Sequence, residues 1–394
     1  MQNSKRFTII ISLVAVLIIA FSILKVSRQI SMADMAAVGY SSDTVKAMVV
    51  DIVEEGQIQL GEIEQDYQIA AIRILEGEHE GEIIEIDHGK RQIRPEGFRL
   101  SSGETILVTV GKGQFGELTA FFVDYMRLKP LLILFLIFVV VNILVSGFKG
   151  VRSLLGIGVS VVIIIFYIVP NILAGKDPIL VSMLGSFIFL AITQYLVYGW
   201  TLKTQVAMTG ILFAMLVTGV MSVYFVDMTL LSGFGDENSM YLMQQGGNLN
   251  IKNLLVGSII IGTLGVLDDL VIGQVSSVIE IYQANPNLTF RQRFRGAMNI
   301  GSDHVAATVN TLVLAYLGAS LSMFLLFSMN NVDFLKLMNI NFIAEEIVRS
   351  LVGTLGLFTS VPITTLIACW VVNDAERLKR LKRFFGPLTN EYGH

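Results

Sequence analysis

Two adjacent aspartates interrupt one of the most apolar stretches of the chain. Asp268 and Asp269 are the only charged residues in the run 254–275. A carboxylate inside a membrane is costly, and it is retained mainly where it serves a function such as a proton relay. Because burial and like charge both oppose the ionisation of two neighbouring carboxylates, we expect the pair to share or exchange one proton. The alternative is a structural role, in which polar side chains hold helices together.

More polar residues follow at helical spacing on this run and on the next one. At 100° per residue, Asp269, Ser276 and Glu280 lie within about 20° of one line. Two consecutive spans run in opposite directions, so their polar stripes reach the same depth and can meet. For Glu280 and His304, the alternative is a place at the membrane interface, where neither needs a special role. The proton relay candidates are Asp268, Asp269, Thr308, Thr311, Ser276, Glu280, Asn310 and His304.

The elements that must position these residues are apolar helices. Hydrophobic residues make up 53% of the 394 residues and charged residues only 15%, whereas soluble proteins carry about 25% charged residues. This composition excludes a disordered chain, a coiled coil and a basic nucleic-acid-binding protein. A bilayer core takes about 20 apolar residues per helix. The sequence predicts an α-helical polytopic membrane protein with about eight spans: 7–24, 130–148, 154–173, 179–199, 206–226, 254–275, 304–329 and 351–372.

The distribution of Lys and Arg predicts the orientation, because these residues are enriched on the cytoplasmic side. They are concentrated in the segments that lie inside if the N-terminus is inside, so we expect both termini to be cytoplasmic. The first run is longer than the apolar part of a usual signal peptide, which favours an uncleaved anchor. The predicted domains are a transmembrane anchor at 1–29, an extracytoplasmic domain at 30–128, a seven-helix membrane domain at 129–373 and a basic tail at 374–394.

The predicted outer domain is acidic and rich in β-strand signals. Residues 26–129 hold 18 of the 32 acidic residues and only 10 basic ones. Four or five short Ile-, Val- and Tyr-rich runs, separated by Gly-containing turns, predict a small β-barrel of OB or SH3 type. Its acidity argues against nucleic acid as a partner. His79 and His88 lie among carboxylates that can ligate a divalent metal, but a solvated acidic hairpin explains them better, and we expect no metal and no cofactor.

Basic, aromatic segments lie at the predicted inner face of the membrane. Arg291, Arg293 and Arg295 alternate with Phe290 and Phe294, and the C-terminal tail has the same character. Both segments predict amphipathic helices that anchor to anionic lipid. The lipid bilayer is thus the first expected partner.

Two sequence stretches resemble a known family. The run from Gly262 to Asp269, and the run from Gly301 to Tyr316 that follows the Arg-rich loop, resemble the YibE/F family of bacterial membrane proteins, in particular its longer, YibE-like member. The resemblance implies a multi-pass protein of the bacterial cytoplasmic membrane, with a YibF-like membrane subunit as partner. A homodimer is the alternative. A weaker local resemblance, to the RND and SecD/SecF membrane modules, implies that the aspartates carry protons.

These observations predict transport or export coupled to proton movement through the aspartate pair. The alternative is a non-transporting scaffold or assembly factor whose outer β domain binds a partner. We do not expect an enzyme, because the sequence has no zinc motif, no phosphate-binding loop and no Ser–His pair in an apolar span. No catalytic residues are therefore predicted, and the substrate is not specified by the sequence.

Overall fold

The computed structural model describes residues 44–389, apart from 62, 92, 95–96, 113–116, 236, 245–248 and 330–332. These residues form two compact units, 44–144 and 145–389. The predicted first span, 7–24, and the end of the basic tail lie outside the described residues. The domain boundaries predicted from the sequence stay a prediction.

The first unit contains a five-stranded antiparallel sheet. Its strand order is β3-β2-β1-β4-β5. The first strand is long and belongs to both halves of the sheet, because it pairs with β2 along its length and with β4 near its start. Two register shifts in the β1–β2 ladder bend this strand. The strands are β1 Thr44–Leu60, β2 Ile63–Ile74, β3 Ile83–His88, β4 Thr105–Lys112 and β5 Leu118–Tyr125.

The curvature brings the two edge strands, β3 and β5, together. Their contact is made by side chains: the His88 ring packs edge-on against Phe122, with ring centroids 4.5 Å apart. Among the described residues, no backbone hydrogen bond joins the two strands. The predicted closed barrel is therefore not confirmed, and the observed fold is a curved sheet whose concave face buries residues such as Ile72 and Ile106.

The second unit is helical, and it begins within the first helix. Its main elements pack around three long helices, Leu202–Met228, Ile251–Ala284 and Asn341–Val372. In the described part of the chain the helices are α1 Leu128–Ile163, α2 Val169–Leu173, α3 Pro178–Tyr198, α4 Leu202–Met228, α5 Glu237–Gln244, α6 Ile251–Ala284, α7 Phe290–Ala319, α8 Leu321–Met329, α9 Phe334–Met338, α10 Asn341–Val372 and α11 Ala375–Phe385.

Five helical segments in the described residues are long and apolar enough to cross a membrane, or six if the bent pair α7 and α8 counts as one span. The predicted number of eight spans is not confirmed. Two predicted spans, 130–148 and 154–173, fall in one segment of 46 residues, Leu128–Leu173. The protein is thus a mostly helical membrane protein with a small N-terminal antiparallel sheet.

Small residues allow the central helices to approach closely. Gly356 on α10 faces the Thr218 hydroxyl on α4, and Gly210 on α4 faces Thr364 on α10, with no room for a Cβ at either glycine. In a bilayer, helices associate through such close packing because lipid tails offer no hydrophobic driving force between helices. The resulting rigid core holds α6, the helix that carries both aspartates.

Three interruptions shape the long helices, and each has a local cause. Gly147 in α1 has φ of 57° and ψ of −139°, a conformation that residues with a Cβ rarely adopt. A π-helical turn, Ile164–Ile168, precedes Pro170, which has no N–H to continue the ladder. The span predicted at 304–329 breaks at Ser320, where α7 and α8 meet at 58°. Gly318, two residues before the break, lowers the helix propensity at this point.

The arginine-rich segment contains one buried arginine. The side chain of Arg293 has 1% exposure. Its Nη2 donates to the carbonyl oxygen of Leu288 at 2.9 Å, and its guanidinium lies over the Tyr282 ring. Arg293 supplies a donor to backbone carbonyl oxygens of the tight turn between α6 and α7. Anchoring of this segment to anionic lipid stays a prediction.

Candidate functional site

Both aspartates lie near the middle of α6. Any window of about 20 residues within Ile251–Ala284, the length that crosses a bilayer core, contains Asp268 and Asp269. Every such placement of the helix therefore keeps the pair within the 20-residue span. The two side chains point in different directions, since neighbouring residues on a helix differ by 100°.

Asp268 turns toward the helix bundle and meets a buried amide. Gln194, on α3, donates a hydrogen bond from its Nε2 to Oδ1 of Asp268. The glutamine is 1% exposed, and its Oε1 has no hydrogen-bond partner among the described residues. Tyr198, one turn further along α3, lies within electrostatic range of both aspartates. The arrangement holds the Asp268 carboxylate by one charge-assisted hydrogen bond in an apolar bundle.

Asp269 faces the other way, toward α7. Its side chain is 81% exposed in the chain, and its Oδ2 lies 4.0 Å from Nε2 of His304, whose side chain is 44% exposed. The carboxylate and the ring are at the limit of an ion pair, so a small side-chain rotation brings them into contact. Asp269 and His304 are the two titratable groups that the structure brings together across α6 and α7.

The register of α6 and α7 sets which residues share a depth. An added Cβ at Gly262 would stand 3.7 Å from the Tyr316 hydroxyl, and one at Gly273 would stand 3.7 Å from the His304 ring. The helices therefore run in opposite directions, and Thr308 lies level with Asp269. This agrees with the depth expected from the sequence for the two polar stripes.

The hydroxyl groups of the predicted relay bond to their own helices. Ser276 donates to the Ile272 carbonyl oxygen, Thr308 to that of His304 and Thr311 to that of Ala307. This is the usual arrangement for Ser and Thr in apolar helices. Their oxygens retain acceptor capacity, so they can still accept a bond from a neighbouring group. Glu280 and Asn310 are exposed at the surface of the chain.

The first unit, residues 44–144, holds a buried histidine where the two edge strands meet. His88 is 5% exposed, and its Nε2 lies 3.2 Å from both the Phe98 carbonyl oxygen and the Tyr125 hydroxyl. Burial lowers the pKa of His88 below its usual value. His79 lies on an exposed turn beside Glu82, at 3.1 Å. Among the described residues, no three His, Cys, Asp or Glu side chains are grouped to hold a metal ion.

An apolar cavity of about 210 Å³ lies beside the break between α7 and α8. Tyr316 and Ser320 line it from α7 and the break, and Glu346 and Ser350 line it from α10. Leu351, at 57% exposure, belongs to its lining, so the cavity opens at the outer surface of the helical unit. This cavity could not be predicted from the sequence, because it forms where a broken helix packs against another helix.

Gln194 is the site residue that the sequence analysis missed. It is the only amide side chain in the apolar run 179–199, which contains no charged residue. A buried amide within a span is itself a signal of a polar partner. That partner is 74 residues away along the chain, so no local pattern links the two. Only the packing of α3 against α6 identifies the pair.

A family model described as YibE/F-like protein matches residues 134–374. The match covers more than half of the 394 residues, so the chain belongs to this family and the resemblance found in the sequence is confirmed. The matched range includes Gln194, both aspartates and His304. Neither a curated protein nor a solved structure matches the chain, and the weaker resemblance to RND and SecD/SecF modules is unsupported.

Proposed function

We propose that this YibE/F-like protein is a transporter or exporter driven by proton movement through Asp268 and Asp269. The observation that carries the proposal is the hydrogen bond from buried Gln194 to Asp268 in the middle of a membrane helix. Two charged side chains inside one helix are costly to insert, and a merely structural contact can be made by neutral residues at lower cost.

Gln194 is suited to both protonation states of Asp268. Its Nε2 donates to the ionised carboxylate. After a 180° rotation of the amide, the buried Oε1 accepts the proton of the neutral carboxylic acid. The proton then has a defined route: it enters the pair from Asp269 and His304 on the exposed side of α6, and it resides on Asp268 inside the bundle. The substrate moves when the protonation of Asp268 changes the packing of α3 against α6.

The proposed topology has eight spans with both termini in the bacterial cytoplasm. The 46-residue segment Leu128–Leu173 is about 69 Å long if helical throughout, more than twice the bilayer core of about 30 Å, so it is long enough for two spans. Counting it twice, counting α7 and α8 as one span and adding the predicted span 7–24 gives eight. The outer β unit then lies outside, where it engages the substrate or gates its exit.

The cavity beside α8 supports an apolar or amphipathic substrate. Its lining is mostly apolar, and hydroxyl groups from Tyr316, Ser320 and Ser350 lie at its wall. It shares α7 with His304, so a movement of this one helix reaches both the carboxylates and the cavity. Pockets for drug-sized ligands have volumes of about 300–1,000 Å³, so a cavity of about 210 Å³ fits a smaller molecule.

Reconstitution into liposomes that enclose a pH-sensitive dye tests the proposal. With an imposed proton gradient, the protein is expected to move protons across the bilayer faster than empty liposomes do, and Asp268→Asn is expected to reduce the rate to that of the empty liposomes. Proton movement that is unchanged in the double variant Asp268→Asn, Asp269→Asn would refute the proposal. That outcome would favour the scaffold alternative.

A further inference from the structure

One face of α7 carries polar groups that nothing in the described chain covers. Asn310 and Thr311 are exposed there, and the neighbouring Asp269 side chain on α6 is 81% exposed. Arg291 and Arg295, both exposed near the start of α7, favour a place for this end of the helix at the membrane surface. A 20-residue span that begins after them contains Asn310 and Thr311.

Lipid is a poor environment for this face. Hydrocarbon offers no hydrogen-bond partner to an amide or a carboxylate, and leaving such groups unpaired there is costly. Beyond Thr311 the exposed surface of α7 is apolar, as Leu314 at 67% and Leu317 at 45% exposure illustrate. The exposed face therefore requires a protein partner with polar groups at the same depth.

We propose that the partner is a second copy of this chain, packed α7 against α7 about a two-fold axis. In such a contact each residue near the axis meets its own counterpart. Asn310 is suited to this, because an amide has both a donor and an acceptor and so pairs with an identical amide. The predicted span 7–24 is a poorer occupant, since its only polar side chains are hydroxyls, at Thr8, Ser12 and Ser22.

Two other properties of the face fit a two-fold helix contact. Ala307, Thr311 and Ala315 follow one another every four residues and are exposed, and small residues at this spacing let two helix backbones approach closely. Asp269, on α6, is exposed beside His304, and a carboxylate at this position needs polar protein groups around it rather than lipid. The second copy also encloses Asp269 and His304, and it thereby completes the relay. This last consequence rests on the proposed function.

Disulfide crosslinking in native membranes tests the interface. The single cysteine, Cys369, is buried and is first replaced by alanine. In that full-length background, Leu314→Cys is expected to give a crosslinked dimer after mild oxidation, because residues near the axis come within disulfide range of their counterparts. Val220→Cys on α4, with a similar exposure of 71%, is the matched control and is expected to stay monomeric.

The same preparation gives the outcomes that overturn the proposal. Absence of a Leu314→Cys product, equal crosslinking of Val220→Cys, or a product whose mass is not twice that of the chain each refutes the second copy. Asn310→Leu is expected to weaken dimerisation roughly three- to thirtyfold in native mass spectrometry, whereas Asn310→Gln retains it. These readouts do not use proton movement. A crosslinked dimer in which Asp268→Asn leaves proton movement intact would therefore refute the proposed function and leave the interface standing.

Discussion

The contact between Gln194 and Asp268 makes two substitutions of the same aspartate differ in a defined way. Asp268→Asn keeps the size of the side chain and an oxygen that accepts from Nε2 of Gln194, but it cannot bind or release a proton. Asp268→Leu removes the acceptor as well. The first variant therefore tests proton chemistry, and the second tests the structural value of the hydrogen bond.

The magnitudes follow from the burial of Gln194, which is 1% exposed. In Asp268→Asn a charge-assisted hydrogen bond, worth about 1.5–3 kcal/mol, becomes a neutral one worth about 1 kcal/mol. The loss is offset because no carboxylate has to be desolvated, so we expect the free energy of unfolding to change by about 1 kcal/mol or less. In Asp268→Leu the buried Nε2 loses its acceptor, and we expect a loss of about 1–3 kcal/mol.

Infrared difference spectroscopy measures the proton directly. A pH titration of the wild-type protein in lipid is expected to show the carbonyl stretch of a protonated carboxyl group that is absent from Asp268→Asn. Dye-loaded liposomes measure proton movement, and unfolding in mixed micelles measures stability. Asp333→Asn is the matched control, because it makes the same chemical change at an exposed N-cap of α9 and an asparagine also caps a helix.

The reasoning fails if Asp268→Asn loses stability and proton movement together, to the same extent as Asp268→Leu, because the aspartate is then structural. It also fails if the infrared band persists in Asp268→Asn with unchanged proton movement. As a graded test within the same assay, Thr311→Val is expected to slow proton movement only partly, since it removes the hydroxyl of one relay candidate on α7 and leaves the titrating groups in place.

Three further predictions address the topology, the packing of the central helices and the pH dependence of the first unit. A cysteine in place of Ser232 is expected to react with a membrane-impermeant reagent added from outside and one in place of Ser153 is not; the reverse pattern would contradict the proposed orientation. Gly356→Ala places a Cβ against a threonine hydroxyl of α4 and is expected to destabilise the protein by about 1–3 kcal/mol in unfolding measurements. Gly219→Ala is the control: its added Cβ would stand 3.7 Å from the nearest atom, and it is expected to be tolerated. Burial lowers the pKa of His88 in the folded state, so the unfolded chain binds a proton more readily than the folded one. The first unit is therefore expected to lose stability as the pH falls below about 6.5. Hydrogen exchange in the intact protein should show this loss, and His88→Phe should reduce it.

The sequence alone predicted a membrane protein built of apolar helices and singled out the charged residues within them. Composition and the length of apolar runs are enough for this, because a bilayer imposes the same 20-residue requirement on every span. The aspartate pair was visible for the same reason: a charge stands out in a run of apolar residues. The β character of the outer domain was also predictable from its Ile-, Val- and Tyr-rich runs and Gly-containing turns.

The tertiary structure decided what each polar group contacts. Gln194 and Asp268 are 74 residues apart, and their pairing depends on how α3 packs against α6, which no local pattern encodes. The break at Ser320 likewise divides a run that reads as one continuous span, because apolarity does not record helix direction. Neighbouring residues on a helix face different surroundings, so the sequence could place Asp268 and Asp269 at one depth, but only the packing could turn one toward a buried amide and the other toward His304.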